Sequence, residues 1–216
     1  HLPEHVSGSG RDYSQNGEQP HILHYLDTIG LKTGHLVDLG AGDGRTMSNT
    51  RALLDRGWTG DLYDGDPKGA KDVKKLFIRL EDAHALIPSH CDFLNLDIDG
   101  NDWHILGEAL RYAHPGPALI VCEINPIFQR DEAVVMPYNE AHVWDGTVYY
   151  GMSLGACEKL AAEFGYVLAY VHAGINAFLL RNDHAKAHPE LIRPIEYRVK
   201  HDHSPHTPDK QWQRLS

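Results

Sequence analysis

Four short apolar runs, at residues 35–39, 61–64, 93–98 and 119–124, each stop at a glycine, an acid or an amide, and stretches of helical spacing separate them. Parallel neighbours in a sheet need a crossover long enough to hold a helix, so this alternation predicts a mostly parallel sheet covered on both faces. The helical stretches are residues 21–29, 45–56, 68–75, 103–112 and 154–164. In the first, Ile22, Leu23, Tyr25, Leu26 and Ile29 share a face and Gly30 supplies the stop. After Gly165, the runs 166–171 and 176–180 flank Ala173-Gly174 and read as a closing hairpin, the antiparallel edge that doubly wound sheets often carry.

A chain of 216 residues with 42% hydrophobic composition buries one sizeable core, so a single domain is expected over residues 18–182. Residues 1–17 read as a flexible arm, and residues 183–216, with Pro189, Pro194, Pro205 and Pro208, as an irregular tail holding at most a short strand at 195–199. The formal net charge is -10 and the most basic stretch, with Lys71, Lys74 and Lys75, is interrupted by Asp72, so no nucleic acid partner is expected. Cys91, Cys122 and Cys157 show no metal or redox spacing and suit a reducing compartment. No run approaches the roughly 18 apolar residues of a membrane span, and the first residues show no signal pattern, which together predict no membrane association and a cytoplasmic location. Of the 16 histidines, His1, His5, His201, His203 and His206 fall in the polar ends and need no function.

The most informative motif is Asp38-Leu39-Gly40-Ala41-Gly42-Asp43-Gly44, set between a predicted strand and a predicted helix. Glycines there let backbone approach a ligand closely. Gly40 and Gly42 fit the first two positions of a dinucleotide fingerprint, but Arg45 stands where a third small residue should let the helix pack against the strand. An acid at Asp38 is also poorly placed beside a pyrophosphate, whereas it suits a ligand with an ammonium group, such as S-adenosylmethionine. The motif resembles the first motif of class I S-adenosylmethionine-dependent methyltransferases, and further segments narrow the resemblance. Tyr13-Ser14-Gln15-Asn16-Gly17-Glu18, Asn49-Thr50-Arg51 with Gly57-Trp58-Thr59-Gly60, Leu96-Asp97-Ile98-Asp99-Gly100-Asn101-Asp102, Cys122-Glu123-Ile124-Asn125-Pro126, residues 148–154 and residues 174–178 together look like the FkbM-type branch. The resemblance spans residues 13–181. It implies an α/β, Rossmann-like, doubly wound sheet, S-adenosylmethionine as cofactor, and cofactor contacts from Gln15, Asp38, Gly40, Gly42, Asp64, Asp66 and Asp97. Asp64 is the first choice for the ribose hydroxyls because a carboxylate can accept from both, and Asp66 the second.

Asp97, Asp99 and Asp102 follow one predicted strand, and Glu123 and Asn125 end the next. Ligands of open α/β sheets sit outside the carboxyl ends of the strands, so both groups should face the crevice of the glycine turn. Asp97, Asp99 and Glu123 are therefore the catalytic candidates. Crowded carboxylates invite a hard divalent cation or a bound ammonium or hydroxyl group. Some related methyltransferases hold a metal at matching positions, which here implies Mg²⁺ on Asp97, Glu123 and Asn125. The competing structural reading of residues 99–102 is a turn and helix cap. His104, His142 and His172 are bases by type alone. Residues 134–150, with Met136, Tyr138, His142, Trp144, Asp145, Tyr149 and Tyr150, mix aromatic and polar groups as an acceptor pocket would. The expected partner is a small-molecule acceptor, a glycan or metabolite, methylated at oxygen; a sugar hydroxyl, a phosphate-type oxygen and an amine all stay open, as does assembly into a homo-oligomer. The competing functions are an NAD-type oxidoreductase and a non-catalytic module on the same fold.

Overall fold

The computed structural model describes residues 10–200 and 210–216. His1, His5, His201, His203, His206, Pro205 and Pro208, and the first part of the expected arm, lie outside the described residues. The elements run α1 (Gln19–Thr28), β1 (His35–Leu39), α2 (Arg51–Asp55), β2 (Thr59–Asp64), β3 (Val73–Lys75), α3 (Ala83–Leu86), β4 (Phe93–Leu96), α4 (Asp102–Tyr112), β5 (Leu119–Glu123), β6 (Val134–Val135), α5 (Leu154–Glu163), β7 (Tyr166–His172), β8 (Asn176–Arg181), α6 (Asn182–Ala187) and β9 (Gln213–Arg214).

Seven strands form one sheet in the order β3-β2-β1-β4-β5-β8-β7. Strands β1 to β5 are parallel. The chain then crosses through α5 to the edge as β7, turns at Ala173 and Gly174, both with positive φ, and returns as β8, antiparallel to both of its neighbours. The expected α/β sheet with an antiparallel hairpin edge is therefore present. Side chains alternate along each strand between two cores. Val37, Leu39, Leu94, Leu96, Ile120 and Cys122 pack with α4 and α5 residues such as Ile105 and Leu160. Leu36, Phe93, Leu119, Val121 and Phe178 pack on the other face with α1 residues Ile22, Tyr25 and Leu26 and with Leu53 of α2. Asp38 and Asn95 share the parity of Leu36 and Phe93, and they face one another across the β1–β4 register. Two polar side chains are thus buried on an apolar face, where each must find a hydrogen-bond partner.

Three expectations fail locally. The helix expected at 45–56 shrinks to α2, because the Asp43 carboxylate accepts the backbone N–H groups of Arg45 and Thr46 at 2.8 and 2.6 Å and Met47 takes a positive φ of 53°. The helix expected at 68–75 is absent: Lys68 and Gly69 have φ of 50° and 79°, which end any helix, and Val73–Lys75 instead pairs with Leu62–Asp64. No strand forms at 195–199. Its Tyr197 packs on the core and donates to the Phe128 carbonyl at 2.7 Å, while the tail contributes α6 and, at β9, a strand paired with β6.

Candidate functional site

Because β1, β2, β4 and β5 are parallel, their carboxyl ends share one edge, with the glycine turn after central β1 flanked by Asp64 on β2 and by Asp97 just past β4. Gly40, with φ 90°, takes the N–H-to-Tyr63 carbonyl bond at 2.9 Å, and a β-carbon on it would run into the Asp97 carbonyl, so only glycine lets the two strand ends close up. Above this turn opens a cavity of about 590 Å³, within the range of small-molecule sites. Gln15, Gly40, Gly42, Asp64, Asp97 and Asp99, six of the residues expected at the site, line it. Asp64 accepts the Gly42 N–H at 2.8 Å with one oxygen and the Asp66 N–H at 2.7 Å with the other. Asp66 is exposed and stays off the wall.

Asp38 lies under the turn. Its oxygens accept from the Thr50 hydroxyl at 2.6 Å and the Asn95 amide at 2.9 Å, and burial pushes its pKa up to about 6 against those two hydrogen bonds. A carboxylate only accepts, so Asn95 must turn its NH₂ to Asp38 and its oxygen to Asn49, whose NH₂ donates to it at 2.9 Å. The Asn49 oxygen is left over. Among the described residues three buried side-chain polar atoms have no partner: the oxygens Oδ1 of Asn49 and of Asp97, and the Trp103 indole N–H. The two acceptors belong to residues that, with Glu18, Asp38, Asn95 and Asn176, line a small polar annex of about 30 Å³ sharing Gly40, Ala41, Met47 and Gln15 with the main cavity. Glu18 is buried and accepts the Asn176 amide at 2.7 Å and the Asn16 amide at 3.0 Å, joining the start of α1 to β8. The annex has the size of one water-like group, since about 10–15 Å³ suffices for a water. It is rich in acceptors and holds a surplus of them.

On the far side of Asp97 is the acidic cluster. One oxygen from each of Asp97, Asp99 and Glu123 lies within 4.8 Å of the others. Burial first, then the charges of Asp99 and Asp102, push Asp97 up to about 8; burial and Asp97 push Glu123 well above the usual range, and a hydrogen bond joins the two side chains. Both carboxyls are thus held towards their protonated forms. Asp99, raised to about 6 by burial and by Asp102, lines the cavity with φ 54°; Glu123 stays off the wall and meets the cavity through Asp97. Asp102, the first residue of α4, closes the turn before the helix by accepting the N–H groups of Ile98 and Gly100 at 2.9 and 2.8 Å. The N-cap residue Asn101 makes no side-chain cap bond, so the turn half of the structural reading holds and the cap half does not. Asn125 is not brought into the cluster. Its amide donates to the carbonyls of Val148 and Tyr150 at 2.8 and 2.9 Å while its oxygen accepts the Ile127 N–H, so Asp99 stands where Asn125 was expected. The donor set, all carboxylate oxygens, is one that suits a hard divalent cation.

Of the histidines, His142 lines the cavity and hydrogen-bonds the Asp99 carbonyl at 3.1 Å, His104 bonds the Met136 carbonyl, and His172 bonds the Asn16 carbonyl. From the 134–150 segment, His142, Val143 and Trp144 reach the wall, whereas the Tyr138 hydroxyl is occupied by the Leu80 N–H. Sequence reasoning met Glu18 and Asn49 only within the segments that carry the resemblance and gave them no site role, and it missed Met47 and Phe77. Met47, Phe77, Val143 and Trp144 are four of the six exposed large hydrophobic residues among the described ones, and all four line this cavity. Apolar surface gathered at one mouth marks a ligand site. No helix is long and apolar enough to cross a membrane among the described residues.

No protein-family model matches the chain, and no curated protein matches it. Among solved structures, an O-methyltransferase family protein from Burkholderia thailandensis is similar at 16% identity and a TM-score of 0.47, over 76% of this chain and 56% of that one. The 1,6-didemethyltoxoflavin-N1-methyltransferase of the same organism aligns at 11% identity and 0.45, over 75% of each chain. A SAM-dependent methyltransferase from Aquifex aeolicus aligns at 17% identity and 0.40, over 72% of this chain and 86% of its own. The chain thus spans little more than half the length of the first of them, and at such identities and scores nothing about its chemistry follows from the likeness.

Proposed function

We propose that the chain is an S-adenosylmethionine-dependent methyltransferase acting on a small polar acceptor. The observation that carries this reading is the acceptor-rich annex beside the glycine turn, with two unpartnered buried oxygens and the carboxylates of Glu18, Asp38 and Asp97. Such a niche recognises a compact cation with several N–H donors. The amino-acid end of S-adenosylmethionine presents an ammonium group; NAD has none. Asp64, across the glycine turn from the annex, still has lone pairs that would hold the ribose hydroxyls of such a cofactor.

In methyl transfer the acceptor lone pair forms the bond to the methyl carbon as the carbon–sulfur bond breaks, the sulfonium becomes a neutral thioether, and the acceptor gives up its proton. Alignment carries most of this step, because the donor is already activated. The proton needs a destination, and the Asp97–Glu123 pair supplies one. Burial and mutual repulsion raise both carboxyls, so once ionised either one takes up the acceptor's proton more readily than an ordinary carboxylate. A divalent cation on Asp97, Asp99 and Glu123 would instead lower the pKa of an acceptor hydroxyl. The acceptor itself should carry no negative charge. The cavity wall holds Asp43, Asp64, Asp97 and Asp99 against a single lysine, Lys68, so a hydroxyl or an amine on a neutral or cationic molecule fits and a phosphate-type oxygen does not.

Mass spectrometry of methyl gain from S-adenosylmethionine, across matched hydroxyl, amine and phosphorylated acceptors, tests the reading. Turnover confined to uncharged or cationic acceptors supports it; turnover only on phosphorylated ones overturns the acceptor class. Chelation separates the two roles of the acidic cluster: full loss with recovery on Mg²⁺ points to the cation, and indifference to chelator with a fall in kcat for Asp97→Asn points to the carboxyl base.

A further inference from the structure

We propose that residues 210–214 act as a strap that positions the outer wall of the cavity, with Trp212 as its anchor. The Trp212 ring lies edge-on between Phe128 and Tyr149, at centroid distances of 4.8 and 4.9 Å. The Tyr149 hydroxyl donates to the Gln211 carbonyl at 2.8 Å, and the Lys210 ammonium sits 5.3 Å from the Tyr149 ring. Below this clasp, Arg214 pairs with Glu132 at 3.0 Å, and β9 pairs with β6. Both elements held by the clasp sit on the same long connection between β5 and α5 that carries the wall.

The clasp reaches the site in two short steps. Tyr149 packs edge-to-face on His142 at 6.3 Å, and His142 lines the cavity while hydrogen-bonding the Asp99 carbonyl at 3.1 Å. Gly100 alone permits that approach, since a β-carbon there would collide with the His142 ring. At the ends of the wall segment, Asn101 and Asn139 exchange hydrogen bonds at 2.9 and 3.1 Å and Asn125 holds the carbonyls of Val148 and Tyr150. Between those ends Val143 is 71% exposed and Trp144 47% exposed, so no core packing fixes the part of the wall that a ligand would meet. Aromatic clamping of Tyr149 by Trp212 supplies that fixing from outside. Trp212 is accordingly a positioning residue: it touches no cavity atom, and acts through Tyr149 and His142 on the Asp99 loop.

Hydrogen–deuterium exchange on the full chain tests this without any methyl transfer, so its outcome is independent of the proposed chemistry. In Trp212→Ala, peptides covering residues 139–149 should exchange about tenfold faster or more, while peptides from β1, β4 and β5 and the global unfolding midpoint stay unchanged. Trp212→Phe, which keeps an aromatic wedge, should restore the slow exchange. Should Trp212→Ala fold poorly, Tyr149→Phe, which removes only the bond to Gln211, should show a smaller acceleration confined to the same peptides. Exchange at 139–149 that is unchanged in folded Trp212→Ala, or that rises equally across the sheet, overturns the strap.

Discussion

Asp38 commits both of its oxygens inside the fold, to Thr50 and Asn95, and by doing so orients two amides and leaves the Asn49 oxygen without a donor. If this arrangement served stability alone, the surplus acceptor would be a cost of about 1–3 kcal/mol with nothing to offset it. A ligand with spare N–H groups turns that cost into recognition. Asn at position 38 can donate to the Thr50 oxygen with its NH₂ while accepting from Asn95, so the fold should tolerate it. The expected outcome for Asp38→Asn is a change in urea-unfolding free energy of less than about 1 kcal/mol, with S-adenosylhomocysteine bound about tenfold more weakly by calorimetry. Large destabilisation with unchanged affinity would assign Asp38 to structure only. At Gly40 the same logic is steric: Gly40→Ala meets both a φ of 90° and the Asp97 carbonyl, so it should cost about 1–3 kcal/mol from backbone strain alone, read as a lowered unfolding midpoint.

The parallel ends of β4 and β5 gather carboxylates that the folded chain holds partly protonated. Their folded-state pKa values are raised, so the folded chain binds more protons than the unfolded one between the ordinary carboxylate range and about pH 8. Stability from this cluster is fully present at low pH and is lost as pH rises through that window. His21, lowered to about 4 mainly by burial and then by His172, works the other way, but only below its ordinary value of 6.5. Between pH 6.5 and 8 the carboxyl pair therefore acts without it. With no ligand added, the chain should lose unfolding free energy from pH 6.5 to 8, and Asp97→Asn should flatten that slope; a slope the substitution leaves intact would place the titrating group elsewhere.

The alternation of apolar runs made the parallel sheet legible, because buried strands need continuous hydrophobic residues and their period is short. The strand ends were legible for the same reason, and with them Asp64, Asp97, Asp99 and Glu123. Residues 45–50 and 68–75 were not. There the pattern of charged residues fits a helix equally well, and the outcome turned on the Asp43 side chain capturing backbone N–H groups and on two consecutive positive φ angles at Lys68 and Gly69. Glu18 and Asn49 were hidden for a different reason. Their roles depend on contacts to Asn176 and Asn95, far along the chain, and no local pattern encodes which of several polar residues will end up buried together. Asn125 had the right position and the wrong direction, since the carbonyls of a following loop claimed its amide.

The formal charge of -10, summed over the full chain, and the acid-lined cavity act in one sense: they draw cations to the sheet's carboxyl edge and repel anions. A cationic ligand should bind more tightly at pH 8 than at pH 6.5, as the Asp97–Glu123 pair loses protons, and more weakly as salt screens the field. Selection of the ammonium group of an adenosyl amino acid by the annex under the glycine turn can be checked by calorimetry at pH 8 with S-adenosylhomocysteine, its analogue lacking the amino group, and NAD. S-adenosylhomocysteine should bind, the deaminated analogue should bind about tenfold more weakly or worse, and NAD should give no heat. Equal affinity for the first two, or tighter binding of NAD, would refute that selection.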